Sequence, residues 1–244
     1  CKWCSNPEGM DRSFQVMFKK RSCVDCGACV NACPAGIHVL SPETGKHEIR
    51  RDRDCTGCRK CMEVCPQEAL TISGECKTIS ELLKIISEDE AFYEQSGGGV
   101  TLGGGEETIL KIAEYVDLFL FDIKHMDPER HNELVGVNNE LILENLKELL
   151  HRRYNVKVRM PMLKGINDSR EEIDRVIQFL MPFRDYKNFK GIDLLPYHKM
   201  GVNKYNQLDR PYPIDGDPSL SDEDLSRIEG WLKEYQFPVT VVRH

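Results

Sequence analysis

Long apolar runs are missing from these 244 residues: none approaches the roughly 18 residues that a membrane-spanning helix needs, and the start carries no signal-peptide pattern. A basic excess is missing too. Lys and Arg number 33 against 40 Asp and Glu, a formal charge of −7, and basic residues gather no further than pairs and triplets such as Lys19-Lys20-Arg21. That leaves no electrostatic footprint for a phosphate backbone, so neither nucleic acid nor membrane is an expected partner. An initiator methionine is absent as well, since the chain begins at Cys1, and an upstream segment is expected to be missing. With no targeting segment in view, the cytoplasm is the default location. The hydrophobic content of 40 % is ordinary and leaves room for one larger domain plus a small one.

What is abundant is cysteine, with 11 residues. Their gaps of two and three residues favour metal ligation over a disulfide scaffold, because such close neighbours rarely reach disulfide geometry with each other. A reducing compartment follows. Two runs, Cys23-x2-Cys26-x2-Cys29-x3-Cys33-Pro34 and Cys55-x2-Cys58-x2-Cys61-x3-Cys65-Pro66, repeat the bacterial ferredoxin spacing, in which three close cysteines hold one 4Fe-4S cluster and the fourth holds the other. Cys23, Cys26, Cys29 and Cys65 are therefore expected at one cluster, and Cys55, Cys58, Cys61 and Cys33 at the second. A pair of zinc sites is the rival that thiolates allow, and the doubled spacing with its prolines argues against it. Gly27, Ala28 and Gly57 let backbone amides approach the sulfurs, or simply make tight turns. Cys76 lies outside both runs and reads as a small hydrophobe. His38, His47, His125, His131 and His151 show no ligand spacing and read as surface or incidental.

Residues 1–17 read as irregular and 18–73 as a cysteine-rich module. Beyond Gly74 helices and strands alternate. Thr78 and Glu81 form a capping-box pattern before Leu82, Leu83, Ile85 and Ile86. A short strand is expected over 100–102 and a helix over 107–115, then a buried strand at Leu118–Ile123. Further helix–strand pairs follow: 139–152 with 156–160, 168–183 with 192–196, and a helix capped by Ser221 with 239–242. This alternation indicates βαβ units and a parallel sheet.

Cys1-Lys-Trp-Cys4-Ser-Asn-Pro-Glu8, Gly99-Val-Thr-Leu-Gly-Gly-Gly-Glu106, Asp122-Ile-Lys124-His-Met, Arg159-Met-Pro with Gly165-Ile-Asn-Asp168, and Leu195-Pro-Tyr-His198-Lys-Met-Gly201 occur in that order. Together they resemble the glycyl-radical-enzyme activating enzymes of the radical S-adenosylmethionine (SAM) superfamily, over almost the whole chain. The resemblance implies an α/β fold: a partial (β/α)6 radical SAM barrel, TIM-like and open, made of residues 1–17 and 74–244, with an inserted bacterial-ferredoxin-like α+β domain at 18–73. It places Cys1 and Cys4 at a third, SAM-binding cluster and Gly104, Gly105 and Glu106 at the methionine amino group of SAM. Asp122, Lys124, Arg159 and His198 then fall at strand ends that hold SAM or line the site, with Asp122, Lys124 and His198 as catalytic candidates. The bland alternative for each is a structural salt bridge or hydrogen bond.

The implied activity is an anaerobic oxidoreductase reaction. SAM is reductively cleaved to a 5'-deoxyadenosyl radical, which abstracts hydrogen from a glycine of a partner glycyl radical enzyme. A flavodoxin or ferredoxin would donate electrons, and the two ferredoxin clusters would relay them. Two departures stand out. The first cysteine of the family's three-cysteine loop would precede Cys1, and a helix and strand bearing an acidic SAM contact are missing after Glu106; Gly103 and Glu107 also replace the usual serine and proline. The shortened chain is accordingly expected to be inactive in SAM cleavage. An electron carrier, or a radical SAM enzyme acting on a small molecule, is the alternative.

Overall fold

The two cysteine runs fold as one motif made twice. In the computed structural model, which describes residues 1–96, 99–100, 109–113 and 116–242, β1 (Gln15–Phe18) precedes the first run. The run ends in α1 (Ala28–Ala32) and is followed by the β2 (His38–Leu40) and β3 (His47–Ile49) hairpin. The second run contains α2 (Lys60–Glu63) and leads into β4 (Leu70–Ser73), which pairs antiparallel with β1. Residues 15–17, read as irregular, are thus part of a strand.

The halves share backbone detail. Left-handed Asp25, Gly27 and Gly36 in the first recur as left-handed Gly57, Arg59 and Glu68 in the second. Gly27 and Arg59 each start the short helix that carries the third cysteine of its run. The two ladders also match: His38 faces Ile49 and Leu40 faces His47, as Leu70 faces Phe18 and Ile72 faces Val16. Leu70 therefore stands in the second half where His38 stands in the first, and Val16 where His47 stands. Val16, Phe18, Ile37, Leu70 and Ile72 are buried with Cys29 and Cys61 in a small core.

By internal contacts the module belongs to a unit of Trp3–Leu102 and Lys199–Tyr212. It includes α3 (Ile79–Glu88), whose N-cap Thr78 exchanges hydrogen bonds with Glu81 in a capping box, and α4 (Glu90–Ser96). Leu82, Leu83 and Ile85 on α3 are exposed.

The other unit, Cys1–Lys2, Gly103–His198 and Pro213–His244, is an α/β layer. It runs α5 (Ile109–Ile112), β5 (Phe119–Asp122), α6 (Pro128–Val135), α7 (Glu140–His151), β6 (Val156–Met162), α8 (Arg170–Leu180) and β7 (Phe189–Pro196). After α9 (Val202–Gln207), which lies in the first unit, come α10 (Asp222–Glu234) and β8 (Val239–Val241). All pairings are parallel, in the order β5-β6-β7-β8, as helical crossovers require.

One face of the sheet is covered. Val156, Val158, Met160 and Met162 alternate along β6 with Lys157, Arg159 and Pro161, and the first set is buried with Leu146, Leu149 and Leu150 of α7 and Ile173, Val176, Ile177 and Leu180 of α8. Helical spacing of these leucines and isoleucines supplies the facing stripe. Leu225, Ile228 and Leu232 of α10 complete it.

The apolar run at 118–123 reads as a strand buried on both sides, and here the structure differs. Phe119 and Phe121 are buried, but Leu118 and Leu120 are 43 % and 46 % exposed. Among the described residues β5 is an edge strand whose second face has no cover. The strand expected at 100–102 and the helix expected at 107–115 fall largely outside the described residues.

Gly191 has φ +94°, and a Cβ there would lie 2.5 Å from the Pro238 carbonyl oxygen that accepts from Ile192 N at the start of the β7–β8 ladder. Gly191→Ala is expected to cost about 2 kcal/mol of stability, from left-handed strain and displaced Pro238, measured by equilibrium denaturation.

Candidate functional site

The cysteine runs build their site from turns. Left-handed Asp25 and Gly57 bring their backbone amides 3.5 Å from Cys23 Sγ and 3.4 Å from Cys55 Sγ, and Ala69 N donates to Cys65 Sγ at 3.3 Å. Aspartate tolerates the left-handed region, and Asp25 Oδ1 accepts from His47 N at 2.8 Å. Gly57 has no such freedom to gain a side chain, because Phe14 packs 2.7 Å from where its Cβ would stand.

Cys23, Cys26, Cys29 and Cys65 line one small cavity, together with Phe18, His47 and Leu70. Cys29 and Cys61 are buried, whereas Cys26 and Cys58 are exposed. Burial pushes the Cys29 thiol up to about 11, and the charges of Cys23, Cys26 and Cys65 add to it. Cys61 is likewise pushed up to about 11 by burial, then by Cys55, Cys33 and Cys58. Sulfurs of both runs thus come together: Cys65 lines the cavity of Cys23, Cys26 and Cys29, and Cys33 and Cys29 are among the thiols whose charges act on Cys61. Cys58, at the surface, is held below the usual thiol value by the Lys60 backbone amide.

Soft sulfur donors around a small cavity, with amides aimed at the sulfurs, fit an iron–sulfur cluster. A buried thiol resists ionisation in the absence of a compensating cation, which bound iron supplies.

Cys76 is exposed in the loop before α3, so it is not a packed hydrophobe. The histidines need a larger correction. His38, His47, His125 and His131 are buried, and of the five only His151 is exposed. His38 and His47 meet across a hairpin that spacing along the chain does not reveal, with Nδ1 of the first 3.0 Å from Nε2 of the second.

In the sheet unit, Asp122 closes β5 and pairs with Lys124 at 2.8 Å. Register sets Asp122 beside Arg159 on β6, and Arg159 beside Asp193 on β7. Asp193 in turn holds Lys157 at 2.8 Å. These charges share the face opposite the helices. His198, half-buried, follows the carboxyl end of β7. Cys1 belongs to this unit, where Lys2 N donates to Leu134 O at 2.8 Å, and Cys4 belongs to the other. Gly104, Gly105 and Glu106 lie outside the described residues.

Three buried polar residues position these strand ends without having stood out in the sequence. Asn167 donates from Nδ2 to Lys124 O at 3.1 Å and Pro161 O at 2.7 Å, while its Oδ1 accepts from Leu163 N at 2.9 Å. Asn139 donates to His125 O and Met126 O. Glu172 accepts from Met126 N, and burial raises its carboxyl above the usual range. Asn167 sits inside the Gly165-Ile-Asn-Asp168 motif, which was its one signal; a Glu in the first turn of a helix, like Glu172, is too common to signal anything.

Around Cys4, α9 and its flanks clamp the preceding segment. Lys204 Nζ bonds Asn6 Oδ1 at 2.7 Å and Glu8 Oε1 at 2.5 Å, and Arg210 donates to Pro7 O at 2.9 Å. Gly201 lies against the loop so closely that a Cβ would stand 2.6 Å from Cys4 O.

The residues from 22 to 69 match the family described as a 4Fe-4S dicluster domain. The chain is 52 % identical to the choline trimethylamine-lyase activating enzyme of Oleidesulfovibrio alaskensis, with 100 % of this chain and 89 % of the relative covered. It is 35 % identical to the trans-4-hydroxy-L-proline dehydratase activating enzyme of Clostridioides difficile, covering 97 % and 88 %, and 33 % identical to the benzylsuccinate synthase activating enzyme of Thauera aromatica, covering 99 % and 83 %. The dicluster sequence and the α/β layer thus define an iron–sulfur enzyme of the radical SAM class. The chain belongs to the glycyl-radical-enzyme activating enzymes, whose cofactors are iron–sulfur clusters and SAM. The first of these alignments spans 276 positions against 244 residues here, so that relative carries internal residues that this chain lacks. No helix among the described residues is long and apolar enough to cross a membrane.

Gly201→Ala is expected to displace the Cys4 loop, seen as faster alkylation of Cys4 and a lower melting temperature, whereas Gly9→Ala, with nothing within 4 Å, leaves both unchanged. Asn167→Ala, which strands buried backbone groups, is expected to cost about 3 kcal/mol in denaturant titrations.

Proposed function

We propose that this chain activates a glycyl radical enzyme of the choline trimethylamine-lyase type, with two accessory 4Fe-4S clusters feeding electrons to its SAM site. The cavity lined by Cys23, Cys26, Cys29 and Cys65 carries this reading, since a fourth sulfur from the far run is what the ferredoxin ligand exchange requires. On this reading Cys55, Cys58, Cys61 and Cys33 hold the second cluster. Residues 18–73 form the ferredoxin-type insert, and 1–17 with 74–244 a shortened (β/α)6 barrel. The particular partner rests on the 52 % identity to the choline trimethylamine-lyase activating enzyme, against 35 % and 33 % for the other two relatives.

When bound, a reduced cluster and SAM supply one-electron cleavage of the sulfonium and hence the power to take hydrogen from a glycine α-carbon. The chain's own part is binding and exclusion of water. Cys1 and Cys4 are two ligands of the SAM cluster, and Gly104, Gly105 and Glu106 receive the methionine ammonium. Lys124, steadied by Asp122, and the Arg159 guanidinium present cations suited to a carboxylate. His198 extends the same set from the end of β7. Asn167 and Asn139 fix the backbone behind Lys124, His125 and Met126, so that these groups do not drift. A flavodoxin or ferredoxin serves as donor, and the reducing cytoplasm suits eleven cysteines that form no disulfide.

The relay is tested in the anaerobically reconstituted enzyme. Cys26→Ala or Cys58→Ala is expected to remove about four irons each. Either should slow glycyl-radical formation, read by electron paramagnetic resonance, when a flavodoxin supplies the electrons, and leave 5'-deoxyadenosine formation with dithionite intact. Unchanged radical formation with flavodoxin sinks the relay.

A further inference from the structure

The two halves of the module share a backbone but not an environment. His47 lines the cavity of Cys23, Cys26, Cys29 and Cys65, with Nδ1 3.9 Å from Cys23 Sγ. The ligand atoms of Cys29, His38 and His47 lie within 4.8 Å of one another, so the histidine pair abuts two sulfurs of the same set. At the equivalent ladder positions the other half has Leu70 and Val16, which carry no donor.

With an iron-bound thiolate at Cys23, the hydrogen-bond partners select the tautomers. An iron-bound thiolate can only accept, so the ring nitrogen facing it must bear the proton. With that proton on Nδ1, His47 Nε2 becomes an acceptor, and its neighbour at 3.0 Å, His38 Nδ1, must donate. His38 Nε2 is then a bare acceptor. It is buried and has no hydrogen-bond partner, which is tolerable for an acceptor and costly for an N–H. The opposite arrangement would strand a buried N–H at His38 and aim a lone pair at the thiolate. Phe18, edge-on to the His47 ring at 4.6 Å, and Asp25, bonded to its backbone, hold the ring in place.

We propose that His47 donates a hydrogen bond to the cluster held by Cys23, Cys26, Cys29 and Cys65, locked in its donating tautomer by His38, and that the pair raises that cluster's reduction potential above its twin's. This rests on the ligand sets given above. Donation to a cluster sulfur stabilises the added negative charge of the reduced state. The change is one electron on or off the cluster, with no proton transferred. Both rings stay neutral in this scheme, consistent with burial holding His38 down to about 4 and His47 below its usual value. His47 and His38 are thus positioning residues for an electron.

The test uses the anaerobically reconstituted full chain and substitutions borrowed from its own second half, His47→Val and His38→Leu. Redox titration followed by electron paramagnetic resonance should resolve a separate midpoint for each of the two ferredoxin-type clusters in the wild type. His47→Val should move one of them to a more negative potential and leave the other in place. His38→Leu, which spares the sulfur contact, should move the same midpoint the same way by less. The double variant should bring the two midpoints together. With 15N-labelled histidine, hyperfine spectroscopy of the reduced wild type should show a weak nitrogen coupling that His47→Val abolishes. Midpoints unmoved in variants that retain their iron would overturn the proposal while leaving the ligand sets standing. If His47→Val loses iron, an unmoved midpoint in His38→Leu overturns it equally. A wild type that binds no 4Fe-4S cluster at these cysteines overturns the ligand sets first.

Discussion

Burying thiols is unfavourable when they must ionise, and the module is organised around two of them. Cys29 and Cys61 sit in a small apolar core that raises both to about 11. As free thiols they are stable, weakly polar filling; as ligands they demand positive charge at a fixed place. The turns answer that demand from the other side. Left-handed residues at 25 and 57 aim amides at Cys23 and Cys55, and left-handed residues at 27 and 59 start the helices that carry Cys29 and Cys61 inward. Folding and cofactor loading are therefore linked, because the energy that makes the cavity worthwhile comes with the iron.

The sheet unit follows a different logic. Its reactive candidates are charged and half-exposed, so they cannot be fixed by burial of their own tips. Fixation comes from behind. Asn167 joins the loops after β5 and β6 through three hydrogen bonds, and Asn139 and Glu172 hold the chain at 125–126. A buried amide with every bond made is rigid, and it makes the backbone beside it rigid. Lys124 and Arg159 inherit that rigidity through the main chain.

Much of this was legible in the sequence. Cysteine spacing carries a ligand pattern directly, and helices announced by Thr78 and Ser221 have their capping boxes. Parallel strands appear within a few residues of where the apolar runs place them. What escaped has a common cause. Leu120 reads as core because a run of apolar letters cannot say whether a second layer covers the sheet. His38 and His47, nine residues apart, look unrelated until a hairpin brings their rings together. Asn167 is one polar letter in a glycine-containing loop, and besides its neighbours Pro161 and Leu163 it bonds Lys124, 43 residues away. Pairings that depend on register or on a loop's path leave no periodic trace.

The crossing of the two runs also has a consequence in time. Cys65 completes the neighbourhood of Cys23 and Cys29, and Cys33 that of Cys61. A chain leaving the ribosome shows three of the four sulfurs of its first set long before the fourth emerges. On the proposed ligand sets neither half could mature alone: iron delivery would wait for residue 65, and from then on both clusters could assemble together. Until that moment the nascent protein presents open, reactive thiolates, and a cell that makes it has reason to keep oxygen and stray metal away during synthesis as well as during catalysis.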